Sequence, residues 1–184
     1  YNDLLVGAPN HDNGSHTDSG RAYLYLGGSL GINTIPAWQF STDEDLAGLG
    51  WSVAWAGDVN RDGYDDWMIG APFHSNGESK EGAVYLFLGG PGALPTAPAW
   101  IQEPDQSNAF DGFSIATAGD VNADGYADIL VGAPGAGGKL SGEGAFALFM
   151  GAPGGPTHIP ARWWFGGQAS AGLGTAVSTA GDVN

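Results

Sequence analysis

The sequence contains no cysteine, and only five of its 184 residues are Lys or Arg. Without cysteine there is no disulfide framework and no thiolate nucleophile. Five bases stand against 20 acids, a formal charge of −15. That balance excludes a nucleic-acid partner, whose phosphates need Lys and Arg, and electrostatic docking on anionic lipid. No run of about 18 apolar residues occurs, so no helix of membrane-spanning length is expected. Gly-x-Ser-x-Gly and His-Glu-x-x-His are both absent. No window carries helical periodicity with caps, and almost no helix is expected. What is present is 42% hydrophobic and 11% aromatic residues, too rich for a disordered acidic tail. The 33 glycines do not recur every third residue, which excludes collagen.

The chain repeats itself. Ala56-Gly57-Asp58-Val59-Asn60 recurs at Ala118-Gly119-Asp120-Val121-Asn122 and at Ala180-Gly181-Asp182-Val183-Asn184, 62 residues apart each time. Gly7-Ala8-Pro9, Gly70-Ala71-Pro72 and Gly132-Ala133-Pro134 follow the same phase with one residue of slack. Pro36-Ala37-Trp38, Pro98-Ala99-Trp100 and Pro160-Ala161-Arg162 mark a later point of each period, and Gly27, Gly89 and Gly151 close a third apolar run. Each period divides into four short apolar runs bounded by Gly, Pro, Asn and Asp, which are strand lengths between turns. Four short strands per repeat predict an all-β chain of four-stranded antiparallel propeller blades, three blade-equivalents in all. The phase places a partial blade at 1–40 (its strands two to four), blades at 41–102 and 103–164, and the first strand of another at 165–184.

Two loops carry the chemistry. Asp58, Asn60, Asp62 and Asp66 stand at positions one, three, five and nine of one loop, with Gly63 at six and Tyr64 at seven. Asp120, Asn122, Asp124, Gly125, Tyr126 and Asp128 repeat the pattern. A hard cation such as Ca²⁺ takes six to eight oxygens, and alternate residues of a curled loop aim theirs at one point. The tyrosine at position seven offers its backbone carbonyl. An EF-hand would need a bidentate Glu at position twelve on a following helix. Ile69 and Val131 stand there instead, so the acid at position nine takes that role and the loop joins two strands. Mg²⁺ and Mn²⁺ are disfavoured because their octahedral sites use fewer protein ligands. Asp65, matched by Ala127, reads as surface charge.

The pattern Phe113-Ser114, Gly119-Asp120, Asp124-Gly125, Asp128 and Gly132-Ala133-Pro134, with its counterparts, resembles the FG-GAP repeat of integrin α-subunit head propellers. The Phe-Gly element departs from that family, reading Gly50-Trp51-Ser52, Gly112-Phe113-Ser114 and Gly174-Thr175-Ala176. The resemblance implies bound Ca²⁺ that stabilises blades, an extracellular or cell-surface location, and recognition of a protein or glycan on other propeller loops. It implies an adhesion or scaffold module rather than an enzyme. The alternatives are the repeating unit of an extracellular fibre and the propeller part of a secreted hydrolase or lyase.

A third loop is split between the chain ends. Asp182 and Asn184 are its first third, Tyr1 and Asp3 its last, and three residues of the type x-Asp-Gly would complete it. Two complete Ca²⁺ sites and a third divided site are therefore expected. The chain reads as a segment of a longer propeller or array, joined to further blades of the same chain or of another copy. His11, His16 and His74 read as solvated loop histidines, and Asp43-Glu44-Asp45 as a solvated turn. The repeat spacing of Trp38, Trp100, Trp163 and Trp164 points to packing between blades. Trp51 and Trp55 are unmatched in the other copies and mark blade-specific positions. Asn13-Gly14-Ser15 is an N-glycosylation sequon. Two filled sites would bring the formal charge from −15 to −11.

Overall fold

A computed structural model describes residues 1–183. Thirteen strands and no helix are found among them: β1 (Leu4–Ala8), β2 (Arg21–Tyr25), β3 (Gly27–Gly28), β4 (Gly31–Ile32), β5 (Trp38–Ser41), β6 (Ser52–Gly57), β7 (Asp66–Ala71), β8 (Ala83–Phe87), β9 (Trp100–Gln102), β10 (Ser114–Gly119), β11 (Asp128–Ala133), β12 (Ala145–Phe149) and β13 (Arg162–Phe165). Two sheets have four strands in sequence order, β6-β7-β8-β9 and β10-β11-β12-β13. The first has three, β1-β2-β5, and β3-β4 is a small hairpin. All neighbours are antiparallel. The protein is thus all-β, built from four-stranded propeller blades that do not close into a ring. Residues 175–183 form no strand. In the other two copies the matching strand pairs with the strand after its metal loop.

Burial follows position in the row of sheets. Every residue of β7 and β8 is buried. That sheet has a neighbour on both faces, so it takes continuous apolar runs rather than alternation. β12, with one packed face, alternates buried and half-buried residues. Between the first two sheets Ala22, Leu24 and Trp38 pack on Trp67, Ile69, Tyr85 and Phe87. The Trp38 ring lies edge-on to Phe87 at 4.8 Å, and its indole N–H donates to the Pro95 carbonyl at 2.6 Å. Between the second and third sheets Met68, Val84, Leu86 and Trp100 meet Ile115, Ile129, Val131 and Phe149. Trp38 and Trp100 therefore serve inter-sheet packing, as their spacing predicts. Trp163 is half-buried against the second layer, and Trp164 stacks on Phe146.

The sheets approach most closely at Gly-Ala-Pro. A Cβ on Gly70 would sit 2.1 Å from the Gly112 carbonyl oxygen, and one on Gly132 would sit 2.1 Å from that of Gly174. Those carbonyls accept the hydroxyls of Ser52 at 2.6 Å and Ser114 at 2.7 Å. The Gly50 N–H donates to the Gly70 carbonyl at 3.0 Å. The Gly-x-Ser and Gly-Ala-Pro elements are thus two halves of one backbone contact, and glycine is required because the chains touch there.

The loops on one rim differ from expectation. His74 is not a solvated histidine. Its Nδ1 meets the Glu44 carboxylate and its Nε2 lies 3.0 Å from Glu103. Glu44 also accepts the Ser75 N–H at 2.8 Å, and Glu103 accepts the Asn76 side-chain amide at 3.0 Å. The acidic turn is exposed at Asp43 and Asp45, as its polarity predicts, and is also tied back: Asp43 accepts from Asn13 and Asp45 from the Thr17 N–H. Burial opposes charge on His74, but the hydrogen bond and charge of Glu44, then of Glu103, outweigh it and raise the imidazole above its ordinary 6.5. Stability from this contact is therefore fully present below about pH 6.5 and is lost as pH rises through the raised value. Replacing His74→Ala should cost about 1–2 kcal/mol at pH 6. The difference in melting temperature between wild type and variant should shrink between pH 6 and pH 9. A difference constant across that range would show that the latch is uncharged.

Candidate metal centre

Both complete loops begin at a β-bulge. The pairing of β6 with β7 shifts between Trp55 and Gly57, and that of β10 with β11 between Thr117 and Gly119. Gly57 and Gly119 take φ of 85° and 73°, turning the strand out of the ladder into the loop. Position four is left-handed in each, at Arg61 (φ 60°) and Ala123 (φ 58°), although neither is glycine. Position six is Gly63 (φ 90°) and Gly125 (φ 92°). The two nine-residue loops therefore share one curl.

That curl turns the predicted donor side chains inward. Asp58 accepts the N–H groups of Asp62 at 2.9 Å and Gly63 at 2.8 Å. Asn60 accepts from the Asp62 N–H and donates to the Asp62 carboxylate at 2.9 Å. Asp62 accepts the Tyr64 N–H at 3.0 Å. Asp120, Asn122, Asp124 and Tyr126 repeat each bond within about 0.1 Å. With the side chains turned onto these N–H groups, no three Asp, Glu or His among the described residues converge to hold a metal.

The acid at position nine is set apart. Asp66 and Asp128 are 1% and 0% exposed. Each carboxylate spans two backbone N–H groups: Val59 and Gly89 for Asp66, Val121 and Gly151 for Asp128, all at 2.8–2.9 Å. Gly89 and Gly151 are the recurrent glycines after the third strand, so this acid ties the loop to the end of the adjacent strand, β8 or β12. Sequence reading missed that tie, although the fixed glycine signalled it. Burial pushes the Asp66 carboxyl up to about 6; the two N–H groups oppose this, and the charges of Asp62 and Asp58 add to it. Asp128 is raised by the same causes. Asp58 and Asp62 thus stand near enough to Asp66 for their charges to disfavour its own.

The remaining sequence candidates fall elsewhere. Tyr1 is exposed at the head of β1, and Asp3 accepts the Gly27 N–H at 2.8 Å, as Asp66 does from Gly89. Asp182 lies in the strandless segment after β13, and Asn184 lies outside the described residues. Asp65 is exposed. The Asn13 amide of the sequon donates to the Thr42 carbonyl at 3.2 Å and to Asp43 at 2.9 Å, while its oxygen accepts from Arg21 at 3.0 Å. Arg61 reaches the Asp124 carbonyl at 3.3 Å and stands 5.9 Å from the Tyr126 ring centre, placing the two loops side by side.

Comparison with known proteins agrees with this geometry. The FG-GAP repeat family model matches residues 49–87 and 112–149, each beginning at the Gly-x-Ser contact or just before it and ending in a third strand. The chain is 36% identical over 140 residues to integrin alpha-5 of Xenopus laevis, covering 71% of this chain and 13% of that protein. It is 36% identical over 141 residues to integrin alpha-IIb of Mus musculus, covering 73% and 13%. Against integrin alpha-PS3 of Drosophila melanogaster it is 31% identical over 141 residues, covering 73% and 12%. It thus spans 12–13% of the length of these relatives. With the repeat match falling on the same loops, bulges and glycine contacts that build the sheets, the chain is an integrin-like FG-GAP repeat protein.

Proposed function

We propose that this chain is a Ca²⁺-stabilised propeller segment of an extracellular or cell-surface protein, a non-catalytic adhesion or interaction module. The blades divide at 1–40, 41–102 and 103–164, with 165–184 opening another. A protein or glycan ligand would be recognised on propeller loops. The observation that supports this reading best is the duplicated inward curl of the two loops. Asp58, Asn60, Asp62, the Tyr64 carbonyl and Asp66 would hold one ion, and Asp120, Asn122, Asp124, the Tyr126 carbonyl and Asp128 the other. Asp182, Asn184, the Tyr1 carbonyl and Asp3 would form parts of a third. A bound cation would replace the intraloop N–H contacts of the carboxylates and relieve their mutual repulsion. It would staple the first strand of a blade to the second.

Ion binding to the folded state alone stabilises it by mass action. At a cation concentration of ten times Kd the gain is about 1.4 kcal/mol per site. Chelation with EGTA should therefore lower the melting temperature by several degrees, and titration calorimetry should count two Ca²⁺ in the complete sites. Asp62→Ala and Asp124→Ala should each remove one. Retention of both ions after either substitution would refute the ligand assignment.

A further inference from the structure

Asn-Gly occurs twice in the chain, at Asn13-Gly14 and Asn76-Gly77. In such a pair the glycine nitrogen can attack the asparagine side-chain amide, because no Cβ blocks the approach and the backbone turns freely. A folded protein prevents this by holding the side chain and the peptide in place. Asn13 is held on every side. It is half-buried, its amide donates to the Thr42 carbonyl and to Asp43, and its oxygen accepts from Arg21. Its N–H and carbonyl both bond to His16, at 2.9 and 3.0 Å, and close a tight turn around Gly14 and Ser15.

Asn76 lies in the connection between β7 and β8, and both it and Gly77 are exposed. Its side chain has one contact, the bond to Glu103 at 3.0 Å. Its own N–H donates to Glu81 at 2.7 Å, but neither the N–H nor the carbonyl of Gly77 has a partner among the described residues. Gly77 takes a φ of 103°, with open space where a Cβ would stand. The third sheet shows the closed alternative. There Glu143, one period after Glu81, accepts the N–H groups of Gly138, Lys139 and Leu140 together, at 2.8, 2.7 and 3.1 Å. Lys139 stands where Gly77 stands, so the nitrogen that is held in one sheet is unheld in the other.

We infer that Asn76 is a site of self-modification, at which the Gly77 nitrogen closes on the Asn76 side-chain carbonyl carbon and releases the latch around His74. The new C–N bond forms as the side-chain nitrogen leaves as ammonia, carrying the proton that Gly77 loses. Water then opens the five-membered imide. Breaking the bond from nitrogen to the side-chain carbonyl leaves aspartate at position 76, and breaking the one to the main-chain carbonyl leaves isoaspartate. Either product is a carboxylate, its proton taken by the ammonia. The new charge lands where the amide donated to Glu103, whose other oxygen lies 3.0 Å from His74 Nε2. A donor becomes a second anion, so Glu103 is repelled from the position that grips His74. Isoaspartate also lengthens the main chain inside the loop that the Gly82 N–H closes on the His74 carbonyl at 3.1 Å.

The test is incubation of the folded chain at pH 8 and 37 °C beside a sample unfolded in urea, followed by digestion and mass spectrometry of the peptides. In the folded sample the peptide containing Asn76 should gain one mass unit at least tenfold faster than the one containing Asn13, while the unfolded sample converts both. Asn76→Gln, which would need a six-membered ring, should abolish the gain. Asn76→Asp reproduces one product and should lower the melting temperature by roughly 2–4 °C, with a smaller loss in high salt. Equal rates at the two asparagines in the folded chain would overturn the inference, as would conversion of Asn76 only after unfolding. An Asn76→Asp protein that melts with the wild type would overturn the release of the latch.

Discussion

Gly70→Ala is expected to cost about 4 kcal/mol, enough to unfold much of the protein at 37 °C. The new methyl would stand 2.1 Å from the Gly112 carbonyl oxygen and 2.3 Å from the Ser52 hydroxyl, where an unstrained contact needs more than 3 Å. Neither neighbour is a flexible side-chain tip. The carbonyl belongs to the backbone entering β10, and the hydroxyl is already committed to that same carbonyl at 2.6 Å. Relief requires the second and third sheets to separate, which loosens the layer of Met68, Leu86 and Ile129 beneath. Gly132→Ala should behave alike. Gly154→Ala, with no heavy atom within 4 Å of the added carbon, is the control and should be near neutral. Urea titration of the three variants checks this. A Gly70→Ala protein as stable as the control would mean that the sheets are not held at this distance in solution.

Asp111→Leu is expected to stabilise the protein by about 3 kcal/mol at pH 7, raising its melting temperature by roughly 6–12 °C. Asp111 is fully buried, and neither carboxylate oxygen has a hydrogen-bond partner. The equivalent positions one period away are Leu49, fully buried, and Leu173, half-buried. Leucine has the branching of aspartate, so the exchange conserves shape while removing two unsatisfied oxygens. The backbone bond from the Asp111 N–H to the Glu81 carbonyl is untouched. Burial raises the Asp111 carboxyl well above its usual range. The folded state therefore keeps a proton that the unfolded chain releases near pH 4, and stability falls as pH rises from there toward the raised value. The advantage of leucine should consequently be smaller at pH 4 than at pH 7. Equal gains at both pH values would show that polarity rather than ionisation is responsible, and a loss would show that the carboxyl has a partner in solution.

Much of this architecture is legible in the residues because a repeat states its own phase. The strands follow from apolar runs set between fixed glycines, and Trp38 and Trp100 reach the layers between sheets because a spacing of 62 residues places them alike. The inward curl of 58–66 and 120–128 follows from donors at alternate positions and glycine at the sixth. What stayed hidden are contacts between connections that do not repeat. His74, Glu44 and Glu103 come from three separate loops about 30 residues apart, and nothing local marks a histidine as the meeting point of two carboxylates. Asp43 and Asp45 stay exposed, yet their bonds to Asn13 and Thr17 were equally hidden, because those partners lie about 30 residues away. Asp66 was legible as a ligand candidate but not as the tether of Gly89, since that bond closes only when the third strand lies alongside.

The complete burial of β7 and β8, beside half-buried outer sheets, has a bearing on cooperativity. Each sheet's stability is lent by its neighbours, so the row behaves as a one-dimensional chain of coupled units in which an interior member melts only with the one beside it. Fraying proceeds inward from either side and stalls at the centre, where two interfaces must open together. Lengthening such a row adds interfaces in step with units while the number of weak boundaries stays at two, and closing it into a circle removes them altogether.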